Sequence, residues 1–214
     1  MLQVEIDQQE LKNTGTTWTR NSDFEKNGFF VIRNLCSASD LTRPVPHQRG
    51  QINYWGKKAN QFNYTPEECQ VNGSLSTYNH PQYRQAHIDV RAKIEQAISR
   101  TLYKTYYFDR FYWSGQELTK HTDRDACEIS ATVHIGTNLQ EPWHIWIKTP
   151  SGNEKSVLLA PGDGMIYKGC ERPHWRDAMP GNTQPGLENW YHQIFFHYVL
   201  QDGIRAHFAG DIGH

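Results

Sequence analysis

Arg110-Phe111-Tyr112-Trp113-Ser114-Gly115-Gln116-Glu117-Leu118-Thr119-Lys120-His121-Thr122-Asp123 is the stretch that decides how the rest of the chain is read. An aromatic run leads into a Ser-Gly break, and a short polar segment follows. If Lys120–Asp123 is extended, His121 and Asp123 face the same side, because strand side chains alternate with period two. An imidazole and a carboxylate then converge on one point.

Outward from this stretch the pattern is that of short strands. Apolar or aromatic runs at 105–113, 127–135, 143–148, 156–160, 165–168 and 190–200 alternate with turn signals. Pro150-Ser151-Gly152-Asn153 reads as a hairpin turn, and Pro161-Gly162-Asp163-Gly164 as a second turn. Before them, 81–100 predicts a helix with Val90, Ile94, Ala97 and Ile98 on one face. Asp23 to Lys26 read as the end of a short helix stopped by Gly28, and Phe29–Ile32 as a buried strand. Thr65-Pro66-Glu67-Glu68 has the form of a helix start. The expected fold is mainly β: a jelly roll with supporting N-terminal helices packed on one sheet. Residues 1–22 are expected to be a loosely ordered N-terminus, and 23–214 one domain.

Composition excludes more than it selects. The net charge is −1, which leaves no electrostatic footprint for nucleic acid. No apolar run reaches the roughly 20 residues of a membrane helix, and none follows Met1 as a secretory signal would. Cys36, Cys69, Cys127 and Cys170 form no CxxC pair. The expectation is reduced thiols and a cytoplasmic location.

A lone HxD is a weak signal, and a second histidine is needed for a 2-His-1-carboxylate set. Such a set leaves coordination positions open and is the usual site of non-haem iron(II) oxygenases. His174, in Arg172-Pro173-His174-Trp175-Arg176, is the best distal candidate. It follows the turn at 161–164 and the run Met165–Tyr167, so it can return from a neighbouring strand.

The segment 110–123 resembles the RYxxGQxLxxHxD segment of prolyl-hydroxylase-like 2-oxoglutarate oxygenases. Leu159-Ala160-Pro161-Gly162-Asp163-Gly164-Met165-Ile166-Tyr167 is similar to the segment before their distal histidine, and Phe24–Ile32 to their leading strand. The resemblance spans roughly 23–34 and 100–200. The run His121–Ser130, with Gly169–Arg176 and Phe196–Tyr198, also resembles uncharacterised oxygenase-like proteins of phages and marine bacteria, which would place it in a host cytoplasm if phage-encoded.

The resemblance implies a double-stranded β-helix holding Fe(II) through His121, Asp123 and His174. It implies 2-oxoglutarate and O2 as co-substrates, ascorbate as a candidate reductant, and release of succinate and CO2. The hydroxylated substrate would be a protein, such as a peptide side chain, or a small molecule. The remote carboxylate of 2-oxoglutarate needs a cation, and the family supplies it about ten residues after the distal histidine. Here no Arg or Lys occurs from Asp177 through Leu200. Arg176 is the first substitute and Arg124 the second. Tyr112 and His134 match positions where a polar ring contacts the co-substrate. Two alternatives stay open: a metal-dependent jelly-roll enzyme that does not use 2-oxoglutarate, and a non-catalytic jelly-roll binding or structural protein.

Overall fold

Gly28 adopts φ +78°, a left-handed conformation that ends α1 (Ser22–Asn27) and turns the chain into β1 (Phe29–Ile32). These elements belong to a computed structural model that describes residues 22–45, 71, 75–181 and 188–213. The Thr65–Glu68 helix start and nearly all of the 1–22 segment lie outside the described residues; Ser22 opens α1.

After α2 (Ala38–Leu41) and β2 (Leu75–Tyr78), a 3-10 turn at Pro81–Tyr83 leads into α3 (Arg84–Ile98). The expected helix over 81–100 is therefore tighter at its start, where His80 accepts from the Gln82 N–H and proline opens the turn. It stops at Ser99, which is left-handed with φ +53°. The remaining strands are β3 (Leu102–Trp113), β4 (Leu118–His121), β5 (Ile129–Thr137), β6 (Ile145–Lys148), β7 (Glu154–Val157), β8 (Gly164–Lys168), β9 (His174–Arg176) and β10 (Trp190–Leu200). Gly152 and Gly162, at φ +86° and +90°, make the two turns expected at 150–153 and 161–164.

The strands form two antiparallel sheets. The larger has the order β1-β8-β5-β10-β3-β2, and the smaller β4-β9-β6-β7. α3 lies on the outer face of the larger sheet. Val90, Ile94 and Ile98 are buried there in one cluster with Tyr107, Phe196 and Tyr198. The opposite face of the same strands carries Tyr106, Phe108 and Tyr112 from β3 and Tyr191 and Phe195 from β10. Met165 and Tyr167 from β8 meet Ile145 and Ile147 from β6, joining the two sheets. β10 is thus covered on both sides. Residues 191–199 are all buried, which explains its near-continuous apolar and aromatic sequence.

Several polar groups in this core are paired. Asp109 is fully buried and takes Arg43 at 2.7 Å and His192 Nε2 at 2.8 Å. His87, on the buried face of α3, lies 3.1 Å from the His197 carbonyl and stacks on Phe196. Much of the histidine richness therefore serves packing.

His87 and His134 carry a pH dependence. Burial pushes His87 down to about 3 and His134 down to about 4. Both fold in the neutral form, so their stability contribution is full above pH 6.5. As pH falls the unfolded chain takes up protons that the folded chain refuses. We expect each histidine to remove up to about 1.4 kcal/mol per pH unit between pH 6.5 and its folded value. Urea unfolding at pH 7, 6, 5 and 4.5 measures the slope. His87→Gln should remove one proton from it, and a flat profile over that window would contradict neutral burial.

Candidate metal centre

His121 and His174 are cross-strand partners in the register of β4 and β9. Their rings lie 4.3 Å apart between centroids. β4 ends at His121, so Asp123 is not placed by a strand ladder. Its backbone N–H instead donates to the Gly169 carbonyl at 2.9 Å. The carboxylate then stands between the imidazoles. Asp123 Oδ1 is 3.5 Å from His121 Nε2 and 3.5 Å from His174 Nε2. The ligand atoms of the three residues all fall within 4.8 Å of one another.

The same local device orients both histidines. His121 Nδ1 is 2.7 Å from the Thr119 carbonyl, and His174 Nδ1 is 3.0 Å from the Arg172 carbonyl, each two residues back in the chain. A carbonyl only accepts, so Nδ1 carries the proton. Each neutral ring therefore offers its Nε2 lone pair toward Asp123, the tautomer a metal takes. Burial lowers the pKa of His174, against the pull of Asp123. Burial alone would raise that of Asp123, but His174 and His121 outweigh it and hold it below the usual carboxylate range. Burial thus favours the neutral His174 ring, and its surroundings favour the ionised Asp123 carboxylate. This donor set fits a divalent ion.

Ser130, on β5, donates to Asp123 Oδ2 at 2.9 Å and so reserves Oδ1 for the imidazole side. His197 Nδ1 lies 2.9 Å from the same hydroxyl. Asp123, Cys127 and His197 form a second cluster of potential ligand atoms within 4.8 Å. Hydrogen bonds occupy two of its members: Ser130 holds Asp123 Oδ2, and Tyr106 lies 3.1 Å from Cys127 Sγ, while His197 Nε2 has no partner. We read it as backing for the first set. Ser130 and His197 were not singled out in the sequence. Their signal is polar residues on one face of an otherwise apolar strand, Ser130-Thr132-His134 on β5 and Gln193 and His197 on β10.

Gly169 is a steric requirement of this arrangement. A Cβ there would lie 2.2 Å from the Cys127 carbonyl and 2.5 Å from Asp123 Oδ2. Gly169→Ala should push Asp123 off its position and weaken Co(II) or Ni(II) binding by about 10–100-fold, the cost of disturbing a ligand's supports. Calorimetric titration checks this, and unchanged affinity would show that the segment yields.

Arg176 follows His174 on the same face of β9. It is 2 % exposed. Its guanidinium donates to the Trp143 carbonyl at 2.9 Å, to Gln193 Oε1 at 3.1 Å and to Tyr191 Oη at 3.4 Å. Gln193 in turn donates to Thr132. No carboxylate of the described residues pairs with Arg176, and its Nε–H has no partner. Tyr112 is fully buried nearby, with its ring against Trp143 and its hydroxyl 3.4 Å from Arg110. Arg110 is a second buried inward cation that the sequence reading did not single out. The structure does not bring Arg124 into this interior. Its guanidinium pairs with Asp211 and covers the Tyr106 ring at the exposed rim. His134 stands opposite Gln193 in the register of β5 and β10, stacked on Tyr191, with Nδ1 at 2.9 Å from the Leu159 carbonyl.

No family model matches the chain, and no curated protein does. Solved structures do. A Pseudomonas putida prolyl-4-hydroxylase aligns with a TM-score of 0.53 at 16 % identity, over 83 % of this chain and 96 % of that one. A 2OG-Fe(II) oxygenase family oxidoreductase from Burkholderia pseudomallei aligns with a TM-score of 0.60 at 9 % identity, over 92 % and 95 %. HygX from Streptomyces hygroscopicus, solved with nickel and 2-oxoglutarate, aligns with a TM-score of 0.54 at 10 % identity, over 86 % and 87 %. The fold is the double-stranded β-helix. At these identities the likeness carries the fold and leaves the chemistry to the residues. In this double-stranded β-helix the three candidate ligands stand together at one end of the barrel, and Arg176 points into its interior. No helix among the described residues is long and apolar enough to cross a membrane.

Proposed function

We propose that the chain is an Fe(II)- and 2-oxoglutarate-dependent dioxygenase that hydroxylates a C–H bond of a peptide side chain or a small molecule. One observation carries the reading. Two carbonyl-locked histidines present Nε2 at 3.5 Å from one nearly buried carboxylate, and a buried arginine paired with no carboxylate of the described residues follows on the same strand face. The first group suits a metal, and the second suits an anion lying beside it.

His121, Asp123 and His174 would hold iron(II), with Ser130 fixing which carboxylate oxygen is used. When iron(II) and 2-oxoglutarate are bound, they supply oxidation by O2: one oxygen atom enters the substrate as a hydroxyl, the other enters succinate, and CO2 leaves. Arg176 would bind the remote carboxylate, since a desolvated guanidinium fork matches it in charge and geometry. A cation on β9 would stand in for the missing Arg or Lys on β10, where Gln193 lies against the same guanidinium. Tyr112 would line the co-substrate's path. Phe108, Phe195 and Tyr106 wall this interior and would exclude water from the reacting centre. Arg124, committed to Asp211, is left with a structural part. Ascorbate would act only by keeping the metal reduced.

The test is anaerobic addition of Fe(II) and 2-oxoglutarate to the full chain. A weak visible charge-transfer band should appear, and admitting O2 should give slow succinate formation even without substrate. Metal binding with no response to 2-oxoglutarate would instead favour a jelly-roll enzyme that does not use it. Absence of metal binding would favour a non-catalytic role.

A further inference from the structure

Beyond Arg176, at the end of the barrel away from the candidate ligands, the described residues form a cleft of about 330 Å³. That is within the size range of small-ligand sites. Trp143, Tyr191, Leu139, Leu158 and Leu159 give it mainly apolar walls, and His134 lines it. His134 sits four residues along β5 from Ser130, on the order of 13 Å at about 3.3 Å per residue. The cleft therefore lies apart from the candidate ligands.

Two features indicate what it takes. His134 is 3 % exposed, and its Nε2 has no hydrogen-bond partner. Because Nδ1 faces the Leu159 carbonyl, Nδ1 carries the proton in the neutral ring, and Nε2 is a bare acceptor. Burial, joined by the nearby Arg176, keeps the ring neutral, with its pKa pushed down to about 4. A buried acceptor left unpaired is costly, and a ligand N–H or O–H removes that cost. Arg33, on the cleft wall, is already bound to Asp163 at 2.6 Å, so the charge there is compensated.

The cleft is also wired to the barrel interior. The Arg176 guanidinium lies 4.4 Å from the Trp143 ring centroid and 4.7 Å from that of Tyr191, and it donates to the carbonyl of one and the hydroxyl of the other. The two rings that line the cleft thus hold the cation assigned to the co-substrate.

We propose that this cleft is a second ligand site, for an uncharged, mainly apolar or aromatic molecule with one N–H or O–H donor, and that its occupancy favours co-substrate binding through Trp143, Tyr191 and Arg176. The coupling half rests on the reading of Arg176 given above. The site itself does not. A ligand that immobilises the two rings pre-sets the guanidinium, and linkage then requires the co-substrate to tighten the ligand by the same factor.

Indole and N-methylindole are the probes, titrated by NMR into the metal-free full chain. Indole should bind about five- to tenfold more tightly than N-methylindole, which lacks the donor. His134→Phe keeps the ring stack but removes the acceptor, and should abolish the difference. Ala160→Trp, at an exposed position of the cleft wall, should block both probes without touching the core. Equal affinity for the two probes, or indole binding that survives Ala160→Trp, overturns the site. In the second arm, Ni(II) and 2-oxoglutarate are added to the same chain. Indole should then tighten by about fivefold, a modest coupling. Unchanged indole affinity while 2-oxoglutarate binds normally overturns the coupling. If 2-oxoglutarate does not bind, it is the oxygenase reading that fails, and the first arm still decides the site.

Discussion

Asp123→Ala is expected to leave a folded protein that no longer holds iron. Asp123 supplies the only negative charge of the candidate set, and its Oδ1 is the atom shared by both imidazole nitrogens. Two neutral histidines alone are a poor site for Fe(II), a metal that favours mixed nitrogen and carboxylate donors. Metal content after reconstitution should drop from about one equivalent to below about 0.1. The fold should not suffer in proportion. The carboxylate is nearly buried, so its removal relieves a desolvation cost while giving up its contacts with the two imidazoles and Ser130. The backbone bond from residue 123 to the Gly169 carbonyl remains. Thermal unfolding separates the two effects. Metal-free Asp123→Ala should melt within about 2–4 °C of the metal-free parent. Ni(II) at about 100 times its dissociation constant should stabilise the parent by about 2.7 kcal/mol and the variant not at all. A variant that still binds one equivalent would remove this carboxylate from the centre.

Arg176→Met is expected to have the second large effect, on 2-oxoglutarate rather than on metal. The guanidinium is buried, and no described carboxylate balances it. Removing the cation from a desolvated ion pair costs about 2–5 kcal/mol, so affinity for 2-oxoglutarate should fall by about 30- to several thousand-fold. Metal affinity should stay within about threefold, since His174 keeps its carbonyl and its strand register. A merely structural arginine would behave differently. Its loss would lower stability, whereas here an uncompensated buried charge leaves with it. We expect unfolding free energy in the absence of co-substrate to change by no more than about 1 kcal/mol, the lost donations to Trp143 and Gln193 offsetting the relieved desolvation. Arg176→Lys should recover part of the affinity through charge alone, because it lacks the planar fork and the stacking on Trp143 and Tyr191. If Arg176→Met binds 2-oxoglutarate normally, Arg110 becomes the next cation to examine, inside the same barrel beside Tyr112.

Short apolar and aromatic runs bounded by glycine and proline turn signals were enough to read most strands and both turns, because they are local properties of the sequence. The helix face of Val90, Ile94, Ala97 and Ile98 was legible for the same reason, and all four are buried as expected. The short strands β2, β4 and β9 were harder. Two have four residues and one has three, too few to show a period. His121, Asp123 and His174 were readable as candidates because an HxD followed by a distal histidine carries its chemistry in residue type and order.

The supports of that set were not readable. Ser130, His197 and Gln193 lie 7, 74 and 70 residues from Asp123 by their numbers, and only sheet pairing brings them into one barrel. The sequence put Arg176 ahead of Arg124 as the candidate cation but could not show the surroundings of either. Tertiary packing separates them: Asp211, 87 residues on, takes Arg124 at the rim, while β9 turns Arg176 inward with His174. Residue types and their local spacing determined what chemistry the chain can offer. Burial and long-range pairing decided which charges are left to offer it, because a charge's partner depends on distance in space and not along the chain.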